Sequence, residues 1–306
     1  MSKTYTVIVT YNAIKWIKSC LDSIKNQSEI IVVDNNSSDN TLEVISENYK
    51  DVIIIKSPVN LGFGKANNLG ISKALDLGAQ YVFLLNQDVY VQEKVISNLI
   101  SAFDSELKFG IISPVHCNGS GNKLDFMFGK YLLKNSAIYL DALRGKPSKT
   151  VYEVSFVNAA AWMISKECLE HVGGFDPVFF HYGEDENYCQ RLIHQGFKIG
   201  VMPSTFIFHD REQRIALKKE KFSDKYFVTL KKVLLVKYAN INHNFEKTVY
   251  QKEIAKTKVL ILKSLLLLKH KDFFGYIKQH DVIKKLEKEI LNSRRIYPTK
   301  GKHFLS

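Results

Sequence analysis

The chain has 306 residues, 45% of them hydrophobic, which suits one large α/β domain with an appendage or two domains and excludes a disordered chain. Its net charge of +12 is unevenly placed: residues 1–210 hold 19 Lys+Arg against 22 Asp+Glu, and residues 211–306 hold 24 against 9, so the positive excess lies wholly in the last third. Cys20, Cys117, Cys168 and Cys189 form no close pair and no metal-ligand spacing, which excludes a disulfide framework and leaves reduced, partly buried thiols in a cytosolic protein.

Residues 1–12, "MSKTYTVIVTYN", go straight into a strand-like run without an apolar leader, so no targeting signal is expected. "TVIVTY" reads as a strand, and "AIKWIKSCLDSIK" as a helix with Ile14, Ile17, Leu21 and Ile24 at helical spacing. "EIIVVDN" is a fully apolar second strand, and "SDNTLEVISEN" carries cap-type residues ahead of Leu42 and Ile45. "VIIIKS" is a third strand, and "GKANNLGISKALDLG" a helix stopping near Gly78. "YVFLLNQD" is a fourth strand, "EKVISNLISAF" a helix, and "GIISP" a fifth strand. Alternating β and α elements with doubly apolar strands predict a mostly parallel sheet covered on both faces. In such sheets ligands bind beyond the carboxyl ends of the strands. The candidates are therefore Thr10, Tyr11 and Asn12; Asp34, Asn35 and Asn36; Asn60; and Asn86, Gln87 and Asp88.

Residues 115–150 are turn-rich and predict a loop or hairpin. "VYEVSFVNAAAWMISKECLEHVGGFDP" reads as a strand, a short helix and a turn. Glu184, Asp185 and Glu186 then open a helix, and "FKIGVMPSTFIFHD" returns as a strand. Three adjacent carboxylates are tolerable there because free N–H groups and the dipole at a helix start stabilise negative charge. Successive helical side chains point about 100° apart, so the three cannot share one task. From about residue 213 two or three Lys-rich helices follow. Lys256, Lys258, Lys263 and Lys269 interrupt the most apolar one, which falls short of the roughly 18 uncharged residues of a spanning helix. It suits an anionic membrane surface, packing on the catalytic domain, or pairing of subunits as a homo-oligomer.

"TVIVTYN", "IIVVDNNSSDNT", "NLGFGKANNLGI", "FLLNQDV", "VGGFDPVFFHYGEDENYCQRL" and "HD" follow one another in an order that resembles the family 2 inverting glycosyltransferases of GT-A fold. The nearest resemblance is to the bacterial surface-polysaccharide branch with rhamnosyltransferases and galactofuranosyltransferase-like enzymes. It covers residues 4 to about 210. It implies a GT-A catalytic domain over 1–212, with a nucleotide-sugar half (1–114) and an acceptor half (115–212), followed by a basic helical region over 213–306.

By that resemblance, Thr10, Tyr11 and Asn12 touch the nucleotide, and Asp34 accepts the imide N–H of uracil or thymine; from the residues alone Asp34 could also cap the segment near Ser37, but Asp39 and Ser38 are better placed to do so. Gly62 and Gly64 would let the backbone approach the nucleotide sugar, with Asn60, Lys65 and Asn67 as further donor contacts. Asn86, Gln87 and Asp88 stand where the family has its metal-binding DXD motif. One full carboxylate with diphosphate oxygens and waters suits Mg²⁺ or Mn²⁺, and His209 matches a further ligand of some members. Asp185 matches the general base, with Glu184 contacting the acceptor or orienting the loop. Arg191 could pair with an acid or approach a phosphate. Trp162 could stack on an acceptor sugar or lie in the core.

The expected activity is inverting transfer from a UDP- or dTDP-sugar to a glycan hydroxyl. The acceptor would be a polyprenyl-diphosphate-linked saccharide in capsule or O-antigen synthesis, at the cytoplasmic face of the membrane and without nucleic acid. The alternatives are a nucleotidyltransferase, or a non-catalytic basic protein binding membrane or nucleic acid.

Overall fold

The computed structural model describes residues 2–104, 108–133, 135–211 and 220–305. The first seven elements alternate as the sequence predicts: β1 (Thr4–Thr10), α1 (Ile17–Ile24), β2 (Glu29–Asp34), α2 (Thr41–Asn48), β3 (Ile53–Lys56), α3 (Phe63–Asp76) and β4 (Tyr81–Asn86). β5 (Val89–Val91), α4 (Val95–Ser101) and β6 (Phe109–Asn118) follow. Residues 115–150, expected as a loop or hairpin, open as a hairpin off the end of β6, with the Asn118 N–H on the Lys123 carbonyl (3.0 Å), the Asp125 N–H on that of His116 (2.9 Å) and an antiparallel bridge between Cys117 and Leu124, but then form α5 (Phe126–Leu132) and α6 (Ser136–Leu143). The side chains of Asp125 and Asn135 cap these two helices, accepting N–H bonds from Met127 and Phe128 and from Ile138. β7 (Tyr152–Val154), β8 (Ala161–Ser165), α7 (Lys166–Val172), α8 (Glu184–His194) and β9 (Lys198–His209) complete the first unit's regular elements.

Among the described residues the sheet has nine strands in the order β3-β2-β1-β4-β8-β6-β9-β5, with β7 also on β9. β1, β2, β3, β4, β6 and β9 run one way, and β5, β7 and β8 run against them. Alternate strand residues feed two cores. Tyr5, Val7, Ile31, Val33 and Leu84 face α3, α7 and α8, while Ile8, Ile30, Val32, Phe83 and Leu85 face α1, α2 and α4. Each large aliphatic side chain buried in these layers contributes about 2 kcal/mol.

The chain divides into two compact units, Met1–Arg214 with Lys300–Ser306, and Ile215–Thr299. The boundary expected at 212/213 lies outside the described residues. The second unit holds α9 (Asp224–Tyr238), α10 (Lys247–Leu266) and α11 (His270–Ile296). Among the described residues no helix is long and apolar enough to cross a membrane.

The last residues return to the first unit. The Gly174 N–H donates to the His303 carbonyl (2.8 Å) and the Gly301 N–H to that of His171 (3.0 Å). Gly173 sits under this strap at φ +79, where a Cβ would lie 2.2 Å from the His303 oxygen. Gly173→Ala should therefore cost about 2 kcal/mol or more, a fall of roughly 5 °C in thermal midpoint. Gly196→Ala, at φ +82 but with nothing within 4 Å of the added carbon, is the control and should cost only about half as much.

Candidate active site

The parallel strands end in register, with Thr10 beside Asp34, Asp34 beside Lys56, and Val9 beside Asn86. The loops leaving this edge are tied by side chains. Thr10 Oγ1 donates to Asp34 Oδ1 (3.0 Å), and the Ser37 N–H donates to Asp34 Oδ2 (3.0 Å). Asn12, at φ +50, donates its N–H to Ser37 Oγ (3.0 Å) and accepts from the Ser38 N–H (2.8 Å). Gln87 clasps the Tyr11 backbone, accepting its N–H (2.8 Å) and donating to its carbonyl (3.3 Å). Asp34 is buried, but a carboxylate offers about four acceptor positions, so two bonds leave capacity for a ligand N–H. Asp39 rather than Asp34 takes the Thr41 N–H (3.1 Å) at the start of α2, and also the Ile14 N–H (3.2 Å) in the turn after β1. Asn36 is exposed on this edge at φ +67, and Asn86 is half-buried.

The loop before α3 is pinned by Asn35, whose Nδ2 donates to Asn60 Oδ1 (3.0 Å) and whose Oδ1 accepts from the Leu61 N–H (2.7 Å). Two glycine roles need correction. A Cβ on Gly62 would lie 2.0 Å from the Phe180 carbonyl oxygen, and one on Gly64 would lie 2.9 Å from Phe175 Cβ. The space they leave is filled by the 175–180 loop, not left for a sugar. Asn67 is also corrected: it is buried and donates to the Phe63 carbonyl (2.9 Å) of its own helix. Lys65 is exposed. Asn68, which the sequence reading passed over, fixes the Gly-Gly-Phe-Asp-Pro turn by exchanging two 2.8 Å bonds with the Phe175 backbone.

Asp88 and His209 meet where β5 pairs antiparallel with the end of β9, Val89 opposite His209. His209 Nε2 is 3.4 Å from Asp88 Oδ1, and both side chains are buried. On the other side of the ring, Nδ1 is 3.7 Å from Asp125 Oδ2, and neither ring nitrogen has a hydrogen-bond partner. Two ligands of one octahedral cation at about 2.1 Å lie roughly 3 Å apart, so the spacing and the orphaned buried imidazole fit a shared divalent ion. Among the described residues no three His, Cys, Asp or Glu side chains cluster as a full ligand set; the rest would come from phosphate and water. Asp125 stands behind the imidazole as a carboxylate that can fix its orientation. Burial raises the Asp125 pKa, but Arg211, in a two-point contact, and the Phe128 N–H outweigh it and hold the carboxyl low. The neighbouring Asp210 accepts from Trp16 Nε1 (3.1 Å).

All three acids lie in the first turn of α8. Glu184 is buried beside Gly64, while Asp185 and Glu186 are half-buried. Asp185 Oδ1 accepts the Glu186 N–H (2.8 Å). Across from them lies Tyr131 on α5. Burial and then the charge of Asp185 push its hydroxyl up to about 12, with Arg211, Asp125 and Glu186 also acting on it. One tyrosine thus senses both the acid helix and the Asp125–Arg211 pair beside His209.

Arg191 and Trp162 need correction. Arg191 is buried in the interior, 2% exposed. Its guanidinium donates to Asn187 Oδ1 (3.1 Å), the Val172 carbonyl (2.8 Å) and the Gly174 carbonyl, and its flat faces meet Tyr188 and Phe304. It locks the turn to the acid helix. Trp162 is 0% exposed on an interior strand, packed on Phe175 and Tyr188, so it is a core residue that no acceptor can reach. All four cysteines are free and buried.

The family described as Glycosyl transferase family 2 matches residues 5–173. The chain is 29% identical to the low-salt glycan biosynthesis hexosyltransferase of Haloferax volcanii, over 73% of this chain and 71% of that protein. It is 28% identical to the dTDP-rhamnosyl transferase of Shigella flexneri, over 68% and 69%. It is 23% identical to the N-acetylglucosaminyl-diphospho-decaprenol L-rhamnosyltransferase of Mycobacterium tuberculosis, over 67% and 75%. Among solved structures, GalNAc-T7 with UDP, GalNAc and Mn²⁺ superposes with a TM-score of 0.58 at 15% identity, over 78% of this chain but only 48% of that one. S. aureus TarS 1-349 superposes with a TM-score of 0.55 at 16% identity, over 80% and 67%. At these identities the structures speak to fold alone.

Proposed function

This chain belongs to glycosyl transferase family 2, a glycosyltransferase of GT-A fold, and on that premise we propose that it moves one sugar, with inversion, from a UDP- or dTDP-sugar to a hydroxyl of a lipid-linked saccharide. The observation that carries the reading is the buried pair of Asp88 and His209, with His209 Nε2 3.4 Å from Asp88 Oδ1 and neither ring nitrogen hydrogen-bonded, a spacing that fits a divalent ion.

Asp185 takes the proton of the acceptor hydroxyl as that oxygen bonds to the anomeric carbon and the bond from carbon to diphosphate oxygen breaks. Glu184 and Arg191 keep the helix start in place. Asp34 receives the base imide N–H, with Asn36 exposed and Asn86 half-buried on the same edge. Asp88 and His209 would hold the divalent ion, Mg²⁺ or Mn²⁺, which supplies charge neutralisation for the departing diphosphate. dTDP-rhamnose is the first donor to try, since rhamnosyl transfer is named in two of the relatives, and a polyprenyl-diphosphate saccharide is the first acceptor. The basic second unit would hold the enzyme at the cytoplasmic face of an anionic membrane, where such a carrier resides.

A donor panel tests this. Purified chain is incubated with dTDP-rhamnose, UDP-glucose, UDP-galactose, their N-acetyl forms and UDP-galactofuranose, with Mn²⁺, Mg²⁺ or EDTA, and released UDP or dTDP is measured. Metal-dependent release from one donor is expected. No release together with no binding of UDP or dTDP would end the proposal.

A further inference from the structure

The second half of α10 is built inside out for a helix in water. The first half buries Tyr250 and Ile254, but beyond them the buried residues are Thr257 and Ser264, and Thr257 Oγ1 lies 2.8 Å from His280 Nδ1 on α11. Tyr250, on the same seam, donates its hydroxyl to the Ile283 carbonyl (2.7 Å). Facing outward instead are Val259, Leu262, Leu265 and Leu266, joined by Leu268 in the turn and Phe274 near the start of α11, all between 52% and 76% exposed. A water-facing helix hides its apolar stripe and shows its polar one; small polar residues in the seam with leucines outside is the pattern of helices packed in lipid. The segment is too interrupted by charge to span a bilayer, so it belongs at the interface.

Charge decides the occupant. Residues 254–271 contain five lysines and no Asp or Glu. Lys258, Lys263 and Lys269 flank the leucines and are exposed, while Lys271 beside them is paired with Glu220. A second copy seated on this patch would set lysines against lysines. An anionic headgroup layer neutralises them, while their stems run along the leucines to the surface.

We propose that the α10–α11 turn inserts into an anionic bilayer, its leucines among the acyl chains and its lysines at the headgroups, so that the second unit is held by penetration and not by charge alone. This rests on the reading that the acceptor is lipid-linked, and it names the element that meets the lipid.

Flotation of the full chain with vesicles tests it, using phosphatidylcholine alone and an equal mixture with phosphatidylglycerol. The chain should float with the mixture only. The double variant Leu266→Glu/Leu268→Glu should bind about a hundredfold more weakly, the loss expected when two leucines leave the acyl region for charged groups. Its helical circular dichroism and its donor hydrolysis should not change. Flotation of the variant equal to the parent's would reduce the contact to charge and overturn insertion. A parent that fails to float would overturn it too, as would one that is a dimer in solution which the variant splits. Donor turnover without flotation removes only this proposal, whereas flotation without any nucleotide-sugar binding removes only the transferase reading.

Discussion

Asp185→Asn should bind donor as the parent does and transfer sugar about a thousandfold more slowly, the range of a lost general base. The amide keeps the size of the side chain and can still accept the Glu186 N–H, so the first turn of α8 should stay closed. Removing one carboxylate from a helix start costs about 0.5–1 kcal/mol, too little to unfold the unit. Turnover number should therefore fall while the Michaelis constant for donor and the thermal midpoint hold. Glu186→Gln is the decisive companion, being the other half-buried acid of the turn. If Glu186→Gln is the dead variant and Asp185→Asn the active one, the base is Glu186. If both retain activity, the proton leaves by another route and the role given to this helix is wrong.

The elements most legible in the sequence are those whose burial is two-sided. β1, β2 and β4 read as unbroken apolar runs because helices cover both faces, and α1 and α3 reveal themselves through spacing and a terminal glycine. β5 and β7, of three residues each, are too short to show a period. α5 and α6 hide behind turn-type residues that turn out to be their caps, Asp125 and Asn135. The site divides the same way. A polar residue after a strand marks the ligand edge, but sequence does not say whether it faces outward or ties the next loop. Asn36 remains exposed, Asn35 and Gln87 become fasteners, and Asn67 turns back to its own helix. Trp162 and Arg191 stay ambiguous in the sequence for one reason: a side chain suited to sugar or phosphate is equally suited to a core stack or to a cluster of backbone carbonyls, and only packing decides. Asp125 and Tyr131 carry no local signal, because what gives them meaning is His209 and Asp185, brought near by β9 and α8.

Asp88→Ala should weaken metal-dependent nucleotide binding about a hundredfold and leave what binding remains indifferent to EDTA. The Asp88 backbone carbonyl still accepts the Asp210 N–H (2.8 Å), so the β5–β9 corner survives and the loss can be assigned to the carboxylate. The readout is Mn²⁺ binding in the presence of UDP or dTDP, followed by electron paramagnetic resonance, because the nucleotide must complete the ligand set. His209→Ala should act in the same direction, since it removes the only other close protein ligand of the pair among the described residues. Asp125→Asn separates direct from indirect action. It touches no ion in this scheme, but it loosens the imidazole and the Arg211 contact, so a roughly tenfold loss of Mn²⁺ affinity is expected with donor specificity intact. Mn²⁺ binding unchanged in both Asp88→Ala and His209→Ala would place the ion away from this pair, whereas no nucleotide-dependent Mn²⁺ binding by the parent would mean that the asparagine at position 86 marks a site that no longer uses metal. Transfer would then depend on the cationic groups of the protein itself to stabilise the leaving diphosphate, with Arg211 the first to substitute.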